Sequence, residues 1–142
     1  MPSVTVRSGP GLMQEIQAGG HTLRADEPVA AGGTGAGPDP YALLLAALGA
    51  CTSMTLRLYA ARKGWPLGEV VVALDIGRAY AEDCAHCEDP RAMVDQITRR
   101  ITVSGDLDPA QLTRLGEIAK KCPLHKTLTA GVRVQDEVVA RA

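Results

Sequence analysis

Two cysteines stand on helix-like, mostly apolar stretches. Cys51 lies within Asp39-Pro-Tyr-Ala-Leu-Leu-Leu-Ala-Ala-Leu-Gly-Ala-Cys-Thr-Ser-Met-Thr-Leu-Arg, and Cys122 within Ile118-Ala-Lys-Lys-Cys-Pro-Leu-His-Lys-Thr-Leu. A thiol among apolar side chains is shielded from bulk water and can meet a hydrophobic oxidant. A second thiol in reach traps the oxidised product as a disulfide. The two are far apart in the chain, so this chemistry requires the fold to bring them together. The plainer expectation is that both are small packing residues, since unpaired cysteine is among the most buried residue types.

Mid-helix, the Cys51 amide is already bonded within the helix, so the helix dipole does little to acidify its thiol, and burial alone raises its pKa. A reactive Cys51 therefore needs a cation or donor from elsewhere, for which Arg7, Arg24 and Arg57 are candidates. Cys122 precedes Pro123 and can cap a turn whose free amides and dipole favour a thiolate. His125 and Lys126 add positive charge close by in sequence.

A second pair, Cys84-Ala-His-Cys87, can chelate zinc or cycle as a dithiol. Joined to Cys122 and His125 it makes a formal zinc set. The gap to Cys122 is longer than in usual zinc modules, and the set consumes that thiol. Glu82, Asp83, Glu88 and Asp89 flank the pair and would raise its thiol pKa values. An ordinary solvated hairpin loop fits as well. His21 reads as a strand surface position and His86 as a loop residue.

The elements that must carry these residues are legible in outline. At 142 residues, 46% hydrophobic and 22% charged, the chain reads as one globular domain over 1–142, rather than a disordered one. Aromatics are 3% with no Phe, so small aliphatic side chains fill the core, and a partner subunit is a way to finish burying it. A net charge of −1 argues against non-specific binding to nucleic acid or anionic membrane. No apolar leader follows Met1, and the uncharged run Tyr41 to Leu56 is shorter than the roughly 20 residues of a spanning helix. Both point to the cytoplasm, where cysteines read as redox, metal or packing residues.

Val4 to Arg7, Met13 to Gln17 and His21 to Ala25 suggest an antiparallel meander broken by glycine turns. Ala30 to Pro38 reads as a flexible glycine-rich connector, with no Gly-Lys-Ser/Thr ending to suit a nucleotide. Asp39-Pro40 opens a helix to about Lys63, apolar nearly all round and so expected to be buried on most sides. Strands follow at Glu69 to Ala79 and Ile97 to Val103, then a helix after Asp108-Pro109 that carries Cys122 on its buried face. Pro123 opens a short further helix, and a strand over Gly131 to Val139 closes an α+β domain.

The segment Gly37 to Arg57, which is Gly-Pro followed by the Asp39 to Arg57 stretch quoted above, with Lys63-Gly-Trp-Pro-Leu, resembles the first cysteine helix of the OsmC/Ohr family, the osmotically inducible protein C and organic hydroperoxide resistance proteins. Ala119-Lys-Lys-Cys-Pro-Leu-His-Lys-Thr-Leu resembles that family's second cysteine motif, and the similarity covers nearly the whole chain. The resemblance implies antiparallel sheets around two central cysteine-bearing helices, in an intertwined homodimer with sites at the subunit interface. It also implies thiol peroxidase activity on organic hydroperoxides, with Cys51 as peroxidatic thiol, Cys122 as resolving thiol and an external dithiol as reductant. No metal, flavin or haem cofactor is implied.

Better-characterised branches carry a Glu before the first cysteine, holding an activating Arg; here Tyr41 stands there. Arg7 maps to that activating cation, and Glu27, in Ala25-Asp-Glu-Pro, is a candidate to supply the carboxylate. Two alternatives stand beside the peroxidase. One is a binding protein of the same fold for a small apolar or thiol-reactive ligand, and the other is a zinc-stabilised module using the Cys84/Cys87 loop.

Overall fold

The computed structural model describes residues 2–80 and 93–141. Cys84, His86 and Cys87 lie outside the described residues.

The N-terminal segments form the expected meander: β1 (Val4–Ser8), β2 (Gln14–Ala18) and β3 (His21–Ala25) pair antiparallel in the order β1-β2-β3. Gly19 and Gly20 make the β2–β3 turn with φ of 55° and 81°, a hairpin geometry that matches strand twist and that glycine enters at no steric cost. The register sets Arg7 opposite Glu15 and Glu15 opposite Arg24, a row of alternating charge across the sheet.

The glycine-rich segment is fixed by Asp26, contrary to the expectation of a loose connector. This carboxylate is buried and accepts from the Thr34 hydroxyl at 2.5 Å and from the amides of Glu27 at 2.8 Å, Thr34 at 3.1 Å and Ala36 at 3.1 Å. These donors, the Thr34 hydroxyl foremost, lower its pKa from 3.8 to about 2. Glycine is required at 33, where a Cβ would overlap the Glu27 carbonyl.

α1 (Pro40–Lys63) starts as its sequence dictates: Asp39 Oδ1 accepts the Ala42 amide at 2.7 Å, and Pro40 fills the first helical position. It stops at Gly64, which takes a φ of 70°. Its buried residues are Leu48, Thr52, Leu56 and Ala60, a single stripe at i, i+4 spacing, instead of burial on most sides. The helix carries more apolar surface than one chain covers, and Met54 and Leu58 are 64% and 67% exposed. At 24 residues α1 is also long and apolar enough to cross a membrane by length and composition, a test that core helices pass too.

β4 (Val70–Tyr80) and β5 (Met93–Val103) form a two-stranded sheet. The Gly68 amide bonds the Ser104 carbonyl at 2.7 Å and the Ser104 amide bonds the Glu69 carbonyl at 3.0 Å, so the start of β4 faces the end of β5, antiparallel. α2 (Pro109–Ala119) opens on a reciprocal capping box between Asp108 and Gln111.

Helix α2 ends before Cys122, not on it. The amides of Lys120, Lys121 and Cys122 bond the carbonyls three residues back, tightening the last turn and freeing the chain to restart at Pro123 as α3 (Pro123–Ala130). Cys122 is therefore buried as the N-cap residue of α3.

The expected strand over 131–139 is not formed. Among the described residues nothing pairs with it, and Val134 and Val138 are 77% and 96% exposed. A strand needs a neighbouring edge to satisfy its backbone, and this segment meets none among the described residues.

Two compact units result, Met1–Ala47 with Leu74–Arg99 and Leu48–Ala73 with Arg100–Ala142. The core of the second is Leu56 with Leu115, Ile118 and Ala119, ringed by Tyr59, Trp65 and residues at the ends of β4 and β5.

Candidate functional site

The second unit brings Cys51 and Cys122 together. Cys51 sits in the fourth turn of α1, half-buried, and Cys122 precedes α3 with no exposed surface. Their sulfurs are in thiol–thiol hydrogen-bond contact, 2.7 Å apart. That is inside van der Waals contact and beyond the roughly 2.05 Å of a disulfide, so the two are reduced thiols in position to join. Neither is an isolated packing cysteine.

The Cys51 thiol is pushed up from its ordinary pKa, first by desolvation and then by the Cys122 thiol beside it. Two neutral donors pull the other way: the backbone amide of Leu124, in the first turn of α3, and the Thr55 hydroxyl, one turn further along α1. The sequence places the helix-terminal amides of α3 at the service of Cys122. In the structure the Cys122 side chain makes no capping bond, and the Leu124 amide serves Cys51.

Arg57 donates to the carbonyls of Leu67, at 3.2 Å, and Gly68, which commits it to the turn before β4 and away from Cys51. Arg7 and Arg24 are exposed on β1 and β3, and Glu27 is half-buried after β3, all in the first unit. Neither Arg7 nor Glu27 forms an ion pair among the described residues. His125 is half-buried in α3 and Lys126 is exposed, its amide bonded to the Cys122 carbonyl at 3.2 Å. Tyr41 is 61% exposed at the start of α1 and lines an open cleft of about 280 Å³ with Ile76, Gly77, Arg78 and Asp95.

Among the described residues no group of three or more His, Cys, Asp or Glu side chains is placed to hold a metal ion. Thr55 and the Leu124 amide are the functional groups that sequence reasoning missed. The available signal was a hydroxyl four residues after the cysteine on one helix face.

The chain belongs to the OsmC-like protein family, whose model matches residues 33–137. Solved structures agree. A Psychrobacter arcticus protein described as osmotic stress induced and detoxification responsive superposes with a TM-score of 0.70 at 21% identity, over 89% of this chain and 87% of that one. An organic hydroperoxide resistance protein OsmC from Legionella pneumophila gives 0.63 at 18% identity, over 89% and 87%. The organic hydroperoxide resistance protein OhrB of Bacillus subtilis gives 0.59 at 22% identity, over 89% and 88%. No curated protein matches the sequence. The fold is therefore the α+β OsmC-like one.

Proposed function

We propose that this chain reduces organic hydroperoxides with its two juxtaposed thiols. The observation that carries the reading is the 2.7 Å separation of Cys51 and Cys122 Sγ, with Cys122 buried and Cys51 half-buried in the second unit. The Cys51 thiolate attacks the terminal oxygen of the hydroperoxide and the O–O bond breaks. The alkoxide takes a proton to leave as alcohol, and Cys51 becomes a sulfenic acid. Cys122 then displaces the hydroxyl as water and forms the Cys51–Cys122 disulfide, which an external dithiol reduces. Sulfur carries both electrons, so the reaction calls for no metal, flavin or haem. Apolar surroundings favour alkyl and lipid hydroperoxides over hydrogen peroxide. Arg7 as activating cation, which the family resemblance implies, and Glu27 as a carboxylate standing in for the family Glu that Tyr41 replaces complete this reading.

The working form is a cytoplasmic homodimer, without nucleic-acid or membrane partners, in which the chain acts as a single domain. Exposed Met54 and Leu58 on α1 and the unpaired, valine-rich residues after Gly131 support a second copy covering them. The family match runs through both compact units, which supports the single domain.

A second reading has its own support: Tyr41 in place of the family Glu and a Cys51 pKa raised by burial favour a slow thiol in a protein that binds a small apolar ligand. One experiment separates them. Thiol count and intact mass are taken before and after one equivalent of cumene hydroperoxide, on wild type and Cys122→Ser. Loss of two thiols in the wild type, with a trapped sulfenic acid on Cys51 in the variant, is expected. A Cys51 thiol that survives excess peroxide sinks the peroxidase and leaves the binding protein.

A further inference from the structure

Cys51 must lose a proton to react, and the largest influences on it, burial and the Cys122 thiol, oppose that. The groups that help are neutral. One is the Leu124 amide, among the first N–H groups of α3, which have no partner inside their own helix. The other is Thr55, whose hydroxyl reaches the Cys51 sulfur and also donates to the Cys51 carbonyl at 2.8 Å.

A hydroxyl has one proton to give. While Cys51 is a neutral thiol, that proton goes to the carbonyl, where it is a second bond: the carbonyl already accepts the Thr55 amide in the helix ladder. Once the thiol has given its proton to solvent, the sulfur is an anion, and a charge-assisted bond is stronger than a neutral one. Turning the hydroxyl to sulfur leaves the carbonyl with its ladder bond, so no buried acceptor is orphaned. Thr55 keeps its own proton throughout, and no covalent bond of it is made or broken.

We propose that Thr55 is a catalytic residue, its hydroxyl turning from the Cys51 carbonyl to the Cys51 sulfur as the thiolate forms. Paired with the Leu124 amide, it holds the anion for attack on a hydroperoxide. The proposal rests on Cys51 being the reacting thiol. It adds a donor from the same helix turn as the cysteine, independent of any carboxylate-held arginine.

The test follows alkylation of Cys51 by iodoacetamide against pH, read by the mass of its peptide, in wild type, Thr55→Val and Thr55→Ser. Valine keeps the branched shape and removes the hydroxyl; serine keeps the hydroxyl. In Thr55→Val the midpoint is expected to rise by about one pH unit and the neutral-pH rate to fall about tenfold, while Thr55→Ser keeps the wild-type profile. Thr55→Ala replaces the valine variant if circular dichroism shows that one unfolded. Superimposable profiles for wild type and the hydroxyl-less variant overturn the role of Thr55. Because alkylation uses no peroxide, a Thr55-dependent profile in a protein that consumes no cumene hydroperoxide overturns the peroxidase reading instead.

Discussion

Joining Cys51 to Cys122 would tie the chain into a ring across positions 71 apart in sequence, and the effect on stability is calculable. A cross-link stabilises chiefly by removing conformations from the unfolded chain, and for a ring of this size the loss corresponds to roughly 4 kcal/mol. Native strain subtracts from that figure, but the sulfurs already lie at 2.7 Å, so closing the bond asks little rearrangement of α1 or α3. For a chain of this length about 3 °C of melting temperature follows each kcal/mol, giving a rise of about 12 °C. A Cys84–Cys87 disulfide would close a far shorter ring and contribute roughly 2 kcal/mol. The experiment therefore uses the Cys84→Ser/Cys87→Ser variant, oxidised with one equivalent of cumene hydroperoxide and melted with and without dithiothreitol. Peptide mapping identifies the bond formed. The reasoning fails if the mapped Cys51–Cys122 disulfide leaves the melting temperature unchanged or lowers it, because the native geometry would then be unsuited to the bond.

Three further outcomes follow from the packing. Leu56→Ala opens a hole in the core against Leu115 and Ile118, where Leu56 has no exposed surface, and should cost about 2 to 5 kcal/mol by urea unfolding; an unchanged midpoint would show that the core is not where it is drawn. Asp26 has its folded pKa below the unfolded value, about 2 against 3.8, so its contribution to stability is complete above pH 3.8 and is lost as pH falls through 2. Asp26→Asn should accordingly be less stable than wild type at neutral pH, with the gap narrowing toward pH 2; a gap independent of pH contradicts the ionised carboxylate. Gly33→Ala should destabilise the loop because its Cβ would overlap the Glu27 carbonyl, whereas Gly116→Ala, mid-helix with open space at the Cβ, should stabilise by about 1 kcal/mol. Equal melting temperatures for these two variants would refute the assignment.

Much of the fold was legible because its signals are local. Asp39-Pro40 and Gly64 delimit α1 to the residue, since a cap, a fixed φ and a left-handed glycine act on their immediate neighbours. The meander and the Asp108 capping box were readable for the same reason. What failed depended on distant partners. The strand anticipated over 131–139 has suitable alternation, yet strand pairing needs an edge, and alternation does not say where the edge comes from. The rigidity of the 26–38 loop rests on one carboxylate facing four donors, a convergence that composition rich in glycine conceals.

The site divides along the same line. Cys51 and Cys122 could be singled out by type and surroundings, and their meeting across the chain agrees with what that chemistry requires. Their electrostatics could not be read in advance, because an amide at a helix start belongs to whichever acceptor the tertiary structure brings before it. Cys122 occupies the N-cap position and its side chain takes none of those amides, while Leu124 N–H turns to the sulfur of a different helix. Arg57 shows the converse: six residues after Cys51 and positively charged, it is drawn to the carbonyls of Leu67 and Gly68, where the chain leaves α1 for β4. A cation's nearness in sequence sets its reach, and unsatisfied carbonyls within that reach decide where it goes. With Arg57 spent on the backbone, the groups seen to favour ionisation of Cys51, the Leu124 amide and the Thr55 hydroxyl, carry no charge. Thr55 is the one of these that substitution can remove.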